Sequence, residues 1–387
     1  MAYFRKRGCK CKDKKKCNCG ATWSFTVDVG RDETGKRLQR GDSGFKTKAE
    51  AVAAAAEMVA NFNKGMLSII SEKETVESYM EEYLDEVLKN ELEPQTYEDK
   101  KSFLKNHVAP MIGKLKMKKV THKDMQKFSN RLTTEKNLSP GTVRIIMQLV
   151  NQTFNHATIT GDIGKNVVTH VKRPKGVKKV HTVWKKHQMD LFLESTQDSW
   201  YYPAYLIGLY MGLRPGETLA LKWDKVDFSK STITVKRTIT QTKDKGLHIK
   251  EAPKNDPSNR TISMPKIVSS FLKAHKLKQA PNKLNLVVPS LSLNIMDEST
   301  LARNLKRSAT KLGLPILTPH ELRHTHATYL LTPKEFGGRG VGIKAVSERL
   351  GHSNTTTTLN TYAHVFEGME TEISKSLDEA NRKEVNL

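Results

Sequence analysis

The sequence Pro319-His320-Glu321-Leu322-Arg323-His324-Thr325 carries two overlapping chemical patterns. As H-E-x-x-H on a helix it would present His320 and His324 on one face for zinc, with Glu321 as general base. As H-x-x-R it would present His320 and Arg323 on one face. Pro319 at the helix start would put both in the first turn, where unpaired N–H groups and the helix dipole favour an anion. Arg323 decides against zinc. It stands one residue from His324 and three from His320, so its charge would crowd a dication, and the best third ligand, Glu348, has no supporting motif. The segment is therefore read as an oxyanion site.

The charge balance agrees with that reading. The 387 residues carry 65 Lys and Arg against 41 Asp and Glu, a formal net charge of +24, so an acidic polymer is the leading partner. Hydrophobic residues at 37% and charged residues at 27% argue against a disordered chain and for soluble surfaces. At about 100 to 200 residues per domain the length predicts two or three domains. The most apolar run, Ala204 to Leu213, is half the ~20 residues that a membrane span needs. Met1 to Arg7 is basic but lacks the apolar segment of a secretory signal. The expected location is the cytoplasm, with no membrane partner. Cys9, Cys11, Cys17 and Cys19 all lie before position 20 and cannot staple the fold.

Outward from the central motif, the chain changes pattern twice. Trp23, Phe25, Val27 and Val29 alternate with Ser24, Thr26 and Asp28, the period of a half-buried strand, and Asp32 to Gly35 offers a turn before a second strand near Lys36 to Arg40. Thr47 and Glu50 form a capping-box pair ahead of an Ala-rich helix over Ala49 to Ala60, with Gly65 as stop signal. This is the first domain, residues 1–64. Residues 71–170 read as all-helical. Thr121 with Asp124 starts one helix, and Ser139 with Pro140 starts another that carries Val143, Ile146, Met147, Val150 and Phe154 at helical spacing. A basic linker over 171–181, with Lys172, Arg173, Lys175, Lys178 and Lys179 around Pro174 and Gly176, suits a polyanion track.

The region 182–387 mixes both periods. Strands are predicted at Thr232 to Thr240 and Arg260 to Met264. Helices are predicted around Gln188 to Ser195 and Tyr201 to Met211, after Pro265, over Leu301 to Leu312, Pro319 to Leu331 and Ile343 to Leu350, and in the tail from Thr371. The fold class is multidomain, mainly α with small β-sheets.

Five blocks stand in order along this last region: Gly212-Leu213-Arg214-Pro215-Gly216-Glu217, Leu219-Ala220-Leu221-Lys222-Trp223, Pro319 to Thr325, Leu350-Gly351-His352-Ser353 and Asn360-Thr361-Tyr362-Ala363-His364. In order and spacing they resemble the tyrosine recombinases of the phage integrase family. The first domain, with Gly44-Phe45-Lys46-Thr47-Lys48 at its helix start, resembles the arm-type DNA-binding domain of integrases from phages and integrative elements of Gram-positive bacteria, a three-stranded sheet plus a helix. The helical middle is similar to their core-binding domain, and the third region to their α+β catalytic domain.

The resemblance implies a site-specific DNA recombinase that integrates and excises a phage or mobile element through a 3′-phosphotyrosyl intermediate. Tyr362 would be the nucleophile, Arg214 and Arg323 the clamp on the non-bridging oxygens, and His320 and His352 further donors, one of them accepting the tyrosine proton. Lys254 would be the general acid in a hairpin turn, with Lys243, Lys245 and Lys250 close enough to compete. Glu217, one turn after Arg214, reads as holding the fold or orienting an arginine rather than reacting. No cofactor for catalysis is implied. Implied partners are double-stranded DNA at core and arm attachment sites, a homotetramer on DNA, a directionality factor and a host DNA-bending protein. The tail Ile373 to Val385 is a candidate for a helix passed to a neighbouring subunit.

Two other readings keep the basic surface. A type IB topoisomerase-like relaxing enzyme shares the chemistry, and a non-catalytic DNA-binding regulator would not need the spacing of Arg214, His320, Arg323, His352 and Tyr362. Two departures from the family stand out. The segment Thr332 to Gly340 is longer than the usual turn, and the two Cys-x-Cys pairs at Cys9, Cys11, Cys17 and Cys19 fit either a structural zinc or four reduced thiols.

Overall fold

The structure, a computed structural model, describes residues 2–8, 19–31, 37–63, 74–176, 181–251, 259–363 and 374. The chain divides into two compact units, Met1–Val177 and Lys178–Leu387.

The first unit holds two separate hydrophobic clusters. Strands β1 (Ala2–Lys6), β2 (Trp23–Arg31) and β3 (Arg37–Phe45) form an antiparallel sheet in that order, with Phe4 opposite Phe25 and Trp23 opposite Phe45. The alternation read at Trp23 to Asp28 buries Phe25 and Val27 against Ala51 and Ala55 of α1 (Lys48–Asn63). The Thr47 hydroxyl accepts from the Glu50 N–H at 3.2 Å, as the capping signal predicts, while the Glu50 carboxylate takes the Lys46 N–H at 3.0 Å. Strand β1 had no reading of its own, because five residues with a basic end carry too short an alternation.

The second cluster is helical. It runs through α2 (Val76–Glu82), wider π-type turns at Tyr83–Leu88, α3 (Lys89–Glu91), α4 (Pro94–Phe103), a second wide stretch at Leu104–Gly113, α5 (His122–Thr134) and α6 (Pro140–Ile159). Pro110 sits inside the second wide stretch, where a residue without an N–H disturbs the regular ladder. Thr121 and Asp124 close a reciprocal cap at the start of α5, and the Ser139 hydroxyl accepts from Thr142 N at the start of α6. Val143, Ile146, Met147, Val150 and Phe154 are buried. At the first residues of the basic segment, Val171 is buried and Lys172 is bound through its main chain to Gln126 of α5 at 2.9 and 3.0 Å.

The second unit opens with α7 (Lys186–Ser195), α8 (Tyr202–Met211) and α9 (Pro215–Leu219). Helix α8 is buried nearly all round, which makes it the axis of the unit's main core. Then follow β4 (Val226–Asp227), β5 (Thr232–Val235), β6 (Arg237–Thr242), β7 (Gly246–Glu251) and β8 (Arg260–Ser263). Strands β4, β5 and β8 form one antiparallel sheet, and β6 with β7 forms a separate hairpin. The single strand expected over Thr232 to Thr240 is thus two strands in two sheets, broken at Lys236.

The remaining helices are α10 (Lys266–Lys278), α11 (Glu298–Lys311), α12 (Pro319–Leu331), α13 (Ile343–Leu350) and α14 (Thr355–Tyr362). Helix α11 starts three residues before its expected beginning, because the Asp297 carboxylate caps it by accepting from Thr300 N at 2.8 Å. The long segment after Leu331 closes on its own stem. Gly340 N donates to Thr332 O and Val341 N to Leu330 O, both at 2.8 Å, so the insertion loops out and leaves the route from α12 to α13 intact.

Cys9, Cys11, Cys17 and Lys254 lie outside the described residues, as does the tail from Thr371 apart from Ser374; Cys19 is exposed. Among the described residues no helix is long and apolar enough to cross a membrane.

Candidate active site

The site is organised by the end of α13. A helix C-terminus leaves its last carbonyl oxygens without partners inside the helix, and they form the negative end of its dipole. Three arginines from distant elements take three successive carbonyls. Arg260 Nε of β8 donates to Arg349 O at 2.8 Å, Arg323 Nη2 of α12 to Leu350 O at 2.7 Å, and Arg214 Nη2, at the start of α9, to Gly351 O at 3.2 Å. Gly351 makes this possible. It ends α13 at φ +69°, and a Cβ there would come within 2.9 Å of Arg260 Cδ.

One carboxylate balances part of this charge. Glu217 accepts from Arg214 N and Nη1, each at 2.8 Å, and from Arg260 Nη1 and Nη2 at 3.0 and 2.9 Å. Burial by itself would raise the Glu217 carboxyl, but the hydrogen bonds and charge of Arg260, with Arg214, hold it below the ordinary range. Glu217, expected to hold the fold or orient an arginine, binds two of them.

Arg323 is 2% exposed. Its Nη1 donates to Gly212 O at 2.8 Å, at the left-handed end of α8. Burial, then the neighbouring Arg214 charge, pulls its guanidinium down to about 9, which leaves it charged at neutral pH. The scaffold bonds take two of the five N–H donors on each of Arg214 and Arg323. Planar, fixed and cationic, the pair suits the oxygens of a phosphate.

His320 enters from the first turn of α12, whose cap is a reciprocal Thr318–Glu321 pair. With Arg214, Thr238, Glu298 and Thr318 it lines a cleft of about 430 Å³. Burial, then the charges of Arg323 and Arg214, lowers its imidazole below the ordinary value. His352 follows the arginine-bearing carbonyls directly. Its Nδ1 is hydrogen-bonded to Thr358 Oγ1 at 2.7 Å, which leaves Nε2 for a ligand, and burial with the Arg323 charge lowers it to about 4. Both rings are neutral at pH 7.

Tyr362, the last residue of α14, is 2% exposed and packs with Ala327, Leu331, Val346 and Leu350. Burial pushes its phenol up to about 12, against the opposing pull of Arg323. Its hydroxyl lies 2.6 Å from His324 Nδ1.

The structure thus brings Arg214, His320, Arg323, His352 and Tyr362 into one unit. Lys254 falls on the connection between β7 and β8, outside the described residues, while the described hairpin turns at Lys243 to Lys245. The rival zinc pattern is not assembled into a metal site among the described residues. The Glu321 carboxylate accepts from Thr318 N at 2.7 Å and His324 Nδ1 faces Tyr362, and among the described residues no group of three His, Cys, Asp or Glu side chains is arranged to hold a metal ion. The sequence reading missed Arg260, quoted only as part of a strand, and His324, weighed only as a zinc ligand. Arg349 was missed too. It supports the site by donating through Nε to His326 Nε2 at 3.1 Å, while His326 Nδ1 donates to Leu209 O at 2.9 Å.

Comparison with known proteins gives three matched segments. Residues 183–369 match the phage integrase family, residues 75–133 the phage integrase N-terminal SAM-like domain, and residues 10–62 an Arm DNA-binding domain. A tyrosine recombinase XerC-like protein of Caldanaerobacter subterraneus subsp. tengcongensis is 29% identical over 386 residues, covering 92% of this chain and 96% of its own. Among solved structures, the Tn1549 transposon integrase in complex with a circular intermediate DNA superposes with a TM-score of 0.68 at 22% identity, over 78% of this chain and 99% of that one. A lambda integrase tetramer bound to a Holliday junction gives 0.55 at 17%, over 88% and 95%.

Proposed function

This chain belongs to the phage integrase family, and on that premise we propose that it is a site-specific DNA recombinase which integrates and excises a phage or mobile element through a 3′-phosphotyrosyl intermediate. The observation that carries the proposal is the seating of Arg214, Arg323 and Arg260 on three successive carbonyls directly ahead of His352. Such an array preorganises positive charge where a phosphate gains charge in the transition state.

In this reading Tyr362 Oη attacks the scissile phosphorus, giving its phenol proton to the imidazole of His320 or His352, and the bond to the 5′-oxygen breaks. The 3′-phosphate stays on the tyrosine and the leaving 5′-oxygen takes a proton, for which Lys254 is the proposed donor. Arg214 and Arg323 hold the non-bridging oxygens, with His320 and His352 as neutral donors beside them. The phosphotyrosyl bond retains the energy of the broken phosphodiester, so rejoining requires no nucleotide cofactor.

Family membership and the likeness to integrases solved on DNA support double-stranded DNA as the partner and assembly as a tetramer. Residues 1–64 are proposed to bind arm sites and residues 71–170 core sites, with a directionality factor and a host DNA-bending protein as further partners in the bacterial cytoplasm. A structural zinc on Cys9, Cys11, Cys17 and Cys19 is proposed for the first of these domains.

The experiment is covalent trapping on a nicked core site, with the adduct mapped by peptide sequencing. The wild-type chain should be captured through Tyr362, and Tyr362→Phe should bind the same DNA without an adduct. An adduct formed by Tyr362→Phe would overturn the reading. Cleavage that proceeds equally on DNA lacking two defined sites would favour the relaxing enzyme instead.

A further inference from the structure

The proposed reaction gives His324 no task, yet it touches the reacting atom. Its Nδ1 lies 2.6 Å from the Tyr362 hydroxyl. The phenol is enclosed by Ala327, Leu331, Val346 and Leu350, and at 2% exposure it cannot meet a DNA phosphate where it stands. Cleavage therefore requires the hydroxyl to leave this place, and the bond to His324 must break when it does.

His324 is itself held on two sides. The ring of His181 stacks on it at 4.0 Å with 19° between planes, and His320 meets it edge-on at 4.9 Å. His181 belongs to the irregular segment that enters the second unit, which is strapped to the neighbourhood of α12. Trp184 N donates to Thr325 Oγ1 at 3.3 Å and Trp184 Nε1 to Pro315 O at 2.8 Å. Burial, then the nearby His181 and His320, lowers the His324 imidazole to about 3, so it is neutral and Nδ1 can accept from the phenol.

We propose that His324, wedged by His181, is a positioning residue that latches the Tyr362 hydroxyl in a resting pose, so that release of the nucleophile is a step in its own right before strand cleavage. The inference rests on the reading of Tyr362 as nucleophile. A buried hydrogen bond of this kind holds the inactive pose without any change in DNA affinity, since neither His324 nor Tyr362 is at the surface. The latch ties nucleophile release to the segment that leads into the catalytic unit, because His181 and Trp184 sit on that segment.

Three full-length variants test it. His324→Phe keeps a ring and removes the acceptor, His324→Asn keeps an acceptor near the position of Nδ1, and His181→Ala removes the wedge. Core-site affinity and single-turnover adduct formation on a nicked core site are measured for each. Affinity should be unchanged throughout. Adduct formation should rise roughly two- to tenfold in His324→Phe, the range set by one hydrogen bond, rise less in His181→Ala, and stay at the wild-type rate in His324→Asn. A merely structural lesion would slow the reaction. A rate that falls or stays constant in His324→Phe, with DNA binding retained, overturns the latch. Should His324→Phe fail to fold, His181→Ala decides by the same rate. An adduct with Tyr362→Phe in this assay would instead remove the nucleophile assignment and leave the latch without its object.

Discussion

Arg214 and Arg323 donate to adjacent carbonyl oxygens, those of Gly351 at 3.2 Å and Leu350 at 2.7 Å. Their mutual register is therefore set by one peptide unit at the end of α13, and His352 follows on the same strand of backbone. Gly351→Ala should disturb all three at once. Its φ of +69° and the 2.9 Å approach to Arg260 Cδ both oppose a methyl group. We expect a stability loss of about 1–3 kcal/mol, measured by chemical denaturation, with adduct formation reduced further than the stability change explains. A variant as active as wild type would refute this account of the clamp.

Glu217→Gln should leave the Arg260 guanidinium buried without its counter-charge. The two side chains are only 7% and 5% exposed and meet at 2.9 Å, so the loss should reach about 3–5 kcal/mol. Unfolding in urea at neutral pH measures it. A change under about 1 kcal/mol, the range of exposed pairs, would mean that the pair is not buried in solution.

Acid should weaken the catalytic unit from an unusually high pH. His324, His326 and His352 sit at about 3, 3 and 4 in the folded chain against an ordinary 6.5. Between those values the unfolded chain binds more protons than the folded one, so stability falls as pH drops below 6.5. Glu217, whose carboxyl is depressed, adds its own loss only at lower pH, as the medium falls through its folded value. Denaturation midpoints at pH 7.5, 6.0 and 5.0 should decline steadily, and His326→Gln should flatten the decline. A midpoint constant across this range would contradict the buried, neutral histidines.

A 5′-phosphorothiolate substrate, whose sulfur leaves without a proton, should restore cleavage by Lys254→Ala. It should not restore cleavage by Arg214→Ala or Arg323→Ala, which lose charge stabilisation rather than a proton donor. Rescue of a Lys243 or Lys250 variant in place of Lys254→Ala would move the acid to that lysine.

Chelation of the full-length protein, or replacement of Cys11 and Cys17 by serine, should weaken binding to arm-site DNA and leave core-site adduct formation unaltered. Arm binding indifferent to both treatments would identify the four cysteines as ordinary thiols.

Local features of this chain were legible in its sequence because their causes are local. The caps at Thr47–Glu50, Thr121–Asp124 and Ser139 each join residues three apart, and the buried face of α6 follows from helical spacing alone. Arg214, His320, Arg323, His352 and Tyr362 were singled out by the resemblance that the five ordered blocks carry, and not by any local physical signal.

What the tertiary structure alone decided are the contacts that close over long stretches of chain. Arg260 reaches Glu217 across 43 residues and Arg349 O across 89, and His324 meets Tyr362 across 38. Strand β1 exists because Ala2–Lys6 finds a partner at Trp23–Val27. Periodicity and capping report which way a side chain faces within its own element. They carry no information on which element it will face, and that is fixed only when the cores around α8 and the end of α13 pack and every buried guanidinium must find an oxygen.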